Sequence, residues 1–126
     1  MSGKNLAQLM YSADNAPGEA GGKRESHIPK IDAPSSVKAG EAFEVRVMVG
    51  PHPNTNEHSI RWVTLFLEEE GRAFNPIMLA KSSFAPGFAS PEVVFRVQLQ
   101  KGGTLHASEY CNMHGLWTGK KDIAVQ

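Results

Sequence analysis

From residue 28 onward, apolar and polar side chains alternate along the chain with the spacing of β-strands that bury one face. Residues 42–49 (AFEVRVMV) show the pattern most clearly, because Phe43, Val45, Val47 and Val49 fall on one face. The same criteria predict strands over residues 42–49, 59–67, 77–83, 91–100, 103–110 and 123–125. Turn residues separate these segments and no long helical period intervenes, which predicts an all-β, antiparallel sandwich of about seven strands.

Residues 59–67 (SIRWVTLFL) alternate less cleanly than the other segments. Ile60, Trp62, Thr64 and Phe66 fall on one face, and the opposite face is also partly apolar. β-branched and aromatic residues dominate the segment, and residues of these types favour strands. We therefore predict a strand here, with those four side chains on a common face.

The N-terminal segment lacks this alternation and is rich in Gly, Ala and Ser. We predict an irregular N-terminal arm over residues 1–26, with one helical turn over residues 6–11, and the β-sandwich over residues 27–126. A chain of 126 residues has the length of one domain and can bury an adequate core without internal cross-links. We therefore treat residues 1–126 as a single domain.

The composition excludes several classes of protein. Thirteen basic and thirteen acidic residues balance, whereas nucleic-acid-binding proteins normally carry a basic excess. No apolar run reaches the roughly 20 residues of a membrane span, and the first residues lack the basic and apolar regions of a secretory signal. We therefore expect no nucleic acid and no membrane as partners, and a cytoplasmic location where a lone thiol stays reduced.

The candidate chemistry lies in the single cysteine and the histidines. Cys111 and His114 share the segment 108-SEYCNMHGLW-117, at the end of a predicted strand. Three further histidines lie at strand ends or in proline-bounded loops: His27, His52 and His58. His106 lies in the middle of a strand, and we assign it no ligand role. Loops at one end of a rigid sandwich commonly carry sites, and thiolate with imidazole suits iron, copper or zinc.

Each of these residues has an ordinary explanation when it is taken alone. A loop histidine is usually solvated, and a lone buried cysteine usually packs as a small apolar side chain. A non-catalytic sandwich module would, however, require that four loop histidines and the only cysteine are all incidental. The combination therefore favours a metal site.

Three segments resemble the motifs of superoxide reductases, and more narrowly those of the single-iron neelaredoxin type, which matches the catalytic domain of desulfoferrodoxin. The family's motifs are E-K-H-x-P, H-P-N-x-x-E-H-H-I and C-N-x-H-G-L-W, and here the segments read ESHIP, HPNTNEHSI and CNMHGLW in the same order. The similarity extends from Glu25 to Trp117. It implies an immunoglobulin-like seven-stranded sandwich, in agreement with the alternation described above.

The resemblance also implies one mononuclear iron per chain. Its equatorial ligands would be four histidines and its axial ligand a cysteine, namely His27, His52, His58, His114 and Cys111. Glu25 would bind the sixth position in the oxidised state. The backbone N–H groups of Met113 and His114, in the tight corner after the cysteine, are expected to donate hydrogen bonds to its sulfur and so tune the metal.

The activity implied is the one-electron reduction of superoxide to hydrogen peroxide, with the iron re-reduced by an external donor such as rubredoxin. Relatives of this type are often homotetramers. A second iron domain of the desulfoferrodoxin kind needs four cysteines, and this chain has one.

Two positions depart from the family pattern. Ser59 stands where the family often has another histidine, which is not a ligand there, and the other departure affects the charge near the site. The lysine that usually precedes the first histidine, and is thought to attract superoxide, is Ser26 here. Serine keeps a hydrogen-bonding group but lacks the charge. Lys23, Arg24 and Lys30 lie close by in the sequence, and as exposed charges act over roughly 8–10 Å, these residues are candidate substitutes for that charge.

Two functions from other classes stay open at this point. A cupredoxin-like copper electron carrier is also a sandwich with a cysteine and a histidine near its C-terminus. Its axial methionine should follow the last histidine, and no methionine follows His114. A thiol hydrolase with Cys111 as nucleophile and His114 as base would need an orienting acid, and none is evident.

Overall fold

The computed structural model describes residues 3–126, which form short N-terminal helices followed by eight strands. The helical segments are α1 (Leu6–Leu9), a 3-10 helix (Gly18–Lys23) and α2 (Arg24–His27). The strands are β1 (Lys30–Asp32), β2 (Ser36–Val37), β3 (Phe43–Met48), β4 (Ile60–Glu69), β5 (Ile77–Ser83), β6 (Glu92–Val97), β7 (Gly103–Cys111) and β8 (Gly115–Val125). Within residues 3–126, none of the helices has the length and apolarity needed to cross a bilayer.

The strands form two sheets that enclose one apolar core. The first sheet has three antiparallel strands in the order β1-β3-β6, and the second has five in the order β2-β8-β7-β4-β5. The short β2 pairs with β8 in parallel, and the other pairs of the second sheet are antiparallel. The predicted all-β sandwich is confirmed, with one parallel pair at an edge and with eight described strands where about seven are predicted.

The clean alternation of the third strand correctly identifies its buried face. Val45, Val47 and Val49 are buried in the core and Phe43 packs against it, whereas the side chains between them face outward. On β4 the predicted common face of Ile60, Trp62, Thr64 and Phe66 is wrong for Ile60. The core takes Val63, Leu65 and Leu67 together with Ile60, because the register against β7 shifts between Ile60 and Trp62 and moves Ile60 to the inner face.

Two further predictions from the sequence are incomplete. The last strand begins at Gly115 rather than at residue 123, because β8 pairs with β7 along its whole length although its glycines and lysines obscure the alternation. The arm predicted as irregular has the helical turn over Leu6–Leu9, and it also contains the 3-10 helix and α2. Neither α1 nor the 3-10 helix has a buried residue, which explains why apolar periodicity does not reveal them.

The topology brings four connections to one end of the sandwich. Cys111 at the end of β7 pairs with Ile60 at the start of β4 and with Gly115 at the start of β8. Lys30 at the start of β1 pairs with Met48 at the end of β3. The predicted ligands lie at these strand ends or in the connections beside them, so the fold gathers them at a common edge.

A close backbone contact fixes the arm to the larger sheet. Gly119 on β8 lies against the carbonyl of Pro29, and a Cβ atom at position 119 would collide with that oxygen and press on Ile28. Pro29 follows His27 by two residues. The absence of a side chain at position 119 therefore lets the arm deliver His27 to the edge of the sheet.

Gly119→Ala should lower the free energy of unfolding by about 1–3 kcal/mol, because the added methyl group overpacks this contact. Gly22→Ala is the matched control, since a methyl group there meets no atom within 4 Å. Denaturant unfolding followed by tryptophan fluorescence measures both variants. Equal stability of the two would show that the contact at Gly119 is not tight.

Candidate metal centre

Five side chains with metal-binding atoms gather at this end of the sandwich. One ligand atom from each lies within 4.8 Å of all the others, and the five residues are His27, His52, His58, Cys111 and His114. Ligands at about 2.0–2.3 Å from one ion bring opposite donor atoms to within about 4.6 Å of each other. The separation is therefore that of donors around a single ion.

The four imidazole rings follow one another around a centre. His27 and His52 have ring centroids 4.8 Å apart, His52 and His58 4.6 Å, and His58 and His114 5.0 Å. His114 and His27 close the cycle at 5.0 Å. Each neighbouring pair meets edge to face, at interplanar angles of 65–88°. This arrangement directs four ring nitrogens toward one point.

Backbone carbonyls fix two of the rings through the nitrogen that faces away from the cluster. The Nδ1 atom of His27 lies 3.0 Å from the carbonyl oxygen of Lys23, and that of His52 lies 2.6 Å from the carbonyl oxygen of Pro53. Each Nδ1–H can donate to its carbonyl, which leaves Nε2 with a lone pair. Such bonds on the outer nitrogen orient the histidine ligands of metal sites.

The sulfur of Cys111 is fully buried beside two of the rings. It lies 3.4 Å from His52 Nε2 and 3.7 Å from His114 Nδ1, and the His114 backbone N–H donates to it at 3.3 Å. Burial raises the pKa of the thiol, and the backbone N–H groups of Met113 and His114 act in the opposite direction. A nearby cation would supply the positive charge that the thiolate form requires.

Burial favours the neutral form of three of the clustered histidines, and a histidine must be neutral to bind a metal. Burial lowers the pKa of His27 to about 4, and mutual repulsion with His52 and His114 adds to this effect. Burial also lowers the pKa values of His52 and His114, with a further contribution from the other histidines. Protonation of these rings is therefore unfavourable, and their lone pairs stay available to a metal ion.

The residues present fit a transition-metal ion. The Nε2 atoms of His27 and His58 are buried and have no hydrogen-bond partner. Buried polar atoms normally have one, and a metal ion would satisfy both. Four imidazoles with one thiolate form a donor set that suits iron, copper or zinc rather than magnesium or calcium.

Asn112 joins the cysteine corner to the segment that carries His58. Its Oδ1 accepts from the Ser59 backbone N–H at 2.9 Å, and its Nδ2 donates to the Glu57 carbonyl at 2.8 Å. The side chain therefore binds the residues on both sides of His58 while its own backbone follows Cys111. Two ligands from distant parts of the sequence are held in register by one amide.

Asn54 holds the loop of His52 in a similar way. Its Oδ1 accepts from the Gly87 backbone N–H at 2.9 Å, and its Nδ2 donates to the Ala89 carbonyl at 3.2 Å. Lys30 donates to the Gly50 carbonyl at 3.0 Å, at the start of the same loop. These bonds attach the loop to neighbouring segments on both sides of His52.

Trp117 packs against the ring of His27. Its indole Nε1–H donates to the carbonyl of His114 at 3.0 Å, and its ring centroid lies 5.1 Å from that of His27. Tyr11 of the arm also packs against the indole, with 4.8 Å between the ring centroids. The buried indole therefore links the arm, one ligand and the turn that carries another.

The remaining predicted residues lie around this cluster. Glu25 and Arg24 are exposed, and Glu25 is not one of the five clustered side chains. Ser26 and Lys23 are half-buried beside His27. His106 lies apart on β7, where its Nε2 is 3.0 Å from a carboxylate oxygen of Glu68.

One buried acid was not predicted from the sequence. Glu109 lies on β7 and shares its inward face with Leu105, Ala107 and Cys111, all of which are buried. Neither carboxyl oxygen has a partner, and burial raises the pKa of Glu109 to about 9, so the group is protonated at neutral pH. The period of two alone places it inward, because it precedes Cys111 by two residues.

Comparison with known proteins agrees with this site. Residues 19–120 match the family described as Desulfoferrodoxin. The chain belongs to the desulfoferrodoxin family. A superoxide reductase from Thermococcus kodakarensis is 43% identical over 101 residues, which cover 75% of this chain and 84% of the relative. The neelaredoxin of Megalodesulfovibrio gigas is 34% identical over 118 residues, covering 82% and 91%.

Solved structures extend the similarity to the whole fold of this desulfoferrodoxin-family chain. A superoxide reductase (neelaredoxin) from Ignicoccus hospitalis has a TM-score of 0.92 and 54% identity, over 98% of this chain and 100% of that chain. The resemblance identified from three short motifs is thus confirmed, and so is the all-β fold that it implies.

Asn112→Ala should weaken metal binding about 10–100-fold, because it removes both hydrogen bonds that hold the His58 segment against the cysteine corner. Asn56→Ala is the control, since Asn56 is exposed on the same loop and accepts from Arg61 through its backbone rather than its side chain. Competition with a chelator measures the affinity. Equal affinities of the two variants would exclude the positioning role of Asn112.

Proposed function

We propose that the chain is a superoxide reductase that uses one iron ion per chain. The cluster of four histidines and one cysteine is the observation that carries this proposal, and the superoxide reductases among its relatives support it. His27, His52, His58, His114 and Cys111 would hold the ion. An iron ion held there would supply one-electron chemistry between its ferrous and ferric states.

The reaction consumes one superoxide, one electron and two protons, and it forms one hydrogen peroxide. Neutral imidazoles add no negative charge to the site, so a single thiolate leaves it cationic toward an anionic substrate. Glu25 is exposed, as a group that approaches and leaves the sixth position must be. It would cover that position in the oxidised state.

The electron must come from outside the chain. One cysteine cannot build a second, four-cysteine iron site. We therefore propose a small one-electron carrier, of the rubredoxin type, as the donor.

Lys23 is the best candidate for the charge that Ser26 lacks. Its charge contributes to lowering the pKa values of His27, His52 and His114, which means that it lies near three of the proposed ligands. Lys30 donates to the Gly50 carbonyl and so helps to hold the loop that carries His52. We therefore propose that Lys23, with Arg24 further out, attracts superoxide to the site.

A copper electron carrier accounts for the site less well. A blue-copper centre uses two histidines, a cysteine and a weak axial group, whereas four imidazole rings surround the candidate centre. A thiol hydrolase is also disfavoured, because burial raises the pKa of Cys111 and so opposes the nucleophilic thiolate.

We also propose a homotetramer in the cytoplasm, with residues 1–126 as one domain. Large exposed apolar side chains support an assembly: Phe74 is 85% exposed and Phe88 93% in the single chain.

Iron content per chain tests the ligand set. Protein purified from cells given both iron and copper should contain about one iron, with a visible sulfur-to-iron charge-transfer band that Cys111→Ser abolishes. His58→Ala should lose most of the metal, whereas His106→Ala should keep it, because His106 lies outside the cluster. Copper in place of iron would favour the electron carrier, and folded protein without metal would refute both.

Lys23→Gln should slow the reaction with superoxide several-fold at low ionic strength, because it removes a positive charge beside the site. The effect should shrink as salt is added. Lys101→Gln is the control, since that exposed residue precedes β7 at the opposite end of the sandwich. Pulse radiolysis measures the rate, and equal rates for the two variants would exclude Lys23 as the attracting charge.

A further inference from the structure

Ser26 contacts a ligand side chain rather than open solvent. Its Oγ lies 2.8 Å from His27 Nδ1 and donates to the Lys23 carbonyl oxygen at 3.2 Å. The same carbonyl oxygen lies 3.0 Å from His27 Nδ1. The three atoms form a triangle in which each is within hydrogen-bond distance of the other two.

This triangle favours one tautomer of His27. The Lys23 carbonyl can only accept, whereas the Ser26 hydroxyl can donate once and also accept. With the proton on Nδ1, the ring and the hydroxyl both donate within the triangle, and Nε2 keeps its lone pair. With the proton on Nε2, the hydroxyl must turn to Nδ1, and the carbonyl loses the two side-chain donors of the triangle.

The burial of Nε2 adds to this preference. Nε2 of His27 has no hydrogen-bond partner in the described chain. A proton placed there would be a buried donor without an acceptor, which is unfavourable. The local hydrogen bonds and the burial therefore select the same tautomer, the one in which Nε2 can bind a metal.

We propose that Ser26 is a positioning residue for the iron site, which holds His27 as the Nδ1–H tautomer with the Nε2 lone pair directed at the other ligands. The proposal rests on the proposed role of His27 as an iron ligand. Lysine could not perform this task, because an ammonium group donates hydrogen bonds and accepts none. Position 26 in this chain thus supplies ligand geometry where the family supplies charge.

The hydroxyl has two measurable consequences for the metal. A hydrogen bond accepted from the outer nitrogen fixes the ring and makes the imidazole a stronger electron donor. Its loss should weaken metal binding. It should also make the reduction potential more positive, because a poorer donor stabilises ferric iron less than ferrous iron.

Ser26→Thr and Ser26→Val provide a matched pair, because threonine and valine have nearly the same shape and differ in the hydroxyl. The threonine variant should bind iron about as tightly as the wild type, and the valine variant should bind it about 10–100-fold more weakly. The potential of the valine variant should lie above that of the threonine variant. In the zinc-loaded proteins, the His27 Nδ1 proton should exchange faster with solvent in the valine variant.

Equal affinities, potentials and proton exchange in the two variants would overturn the proposal. Should valine disturb α2, as judged by circular dichroism, Ser26→Ala removes the hydroxyl without adding bulk and must give the same shifts. None of these readouts uses superoxide. Wild-type protein that binds iron but does not reduce superoxide would refute the proposed function and leave the comparison of Thr with Val decisive for Ser26.

Discussion

The structure is organised around a hydrogen-bonding deficit at one end of the sandwich. Nε2 of His27 and Nε2 of His58 are removed from water and have no protein partner, and the thiol of Cys111 is buried beside them. Burying such atoms without a partner costs free energy, and protonating His27 is opposed by the same burial. A bound cation would remove this cost, because it would form bonds to the buried atoms. Folding and metal binding are therefore coupled in this chain, since the ligand atoms come together only in the folded state.

The surrounding structure limits the ways in which this deficit can be relieved. Asn112 and Asn54 use amide groups to join segments that are distant in the sequence, so that the ligand loops cannot move independently. Trp117 fills the space beneath His27 and fixes the turn of His114 through its indole N–H. The sulfur receives its hydrogen bonds from backbone N–H groups in its own corner. Rigid strand ends and short connections thus hold the clustered side chains in position.

The sequence predicts most of this arrangement where the pattern is local. The alternation in β3 identifies its buried face, and the three motifs identify the five clustered residues. Prediction fails where the outcome depends on pairing. The bulge at the start of β4 puts Ile60 on the opposite face from Trp62, and most of β8 is a strand because β7 lies beside it rather than because of its own pattern. The role of Asn112 could not be predicted either, because its partners Glu57 and Ser59 are distant in the sequence. Glu109 is a different case. It was not predicted, although its inward position follows from the alternation alone.

His27 differs from the other four clustered residues in the part of the chain that carries it. It is the only buried residue of the short helices in the arm, whereas the other four lie at strand ends or in loops of the sandwich. Segments with few buried contacts open locally at lower free energy than the whole domain unfolds. Opening of the arm would withdraw one ligand and expose the centre while both sheets stay intact. Metal held by the five side chains would then be released through opening of the arm, in a protein whose two sheets remain folded.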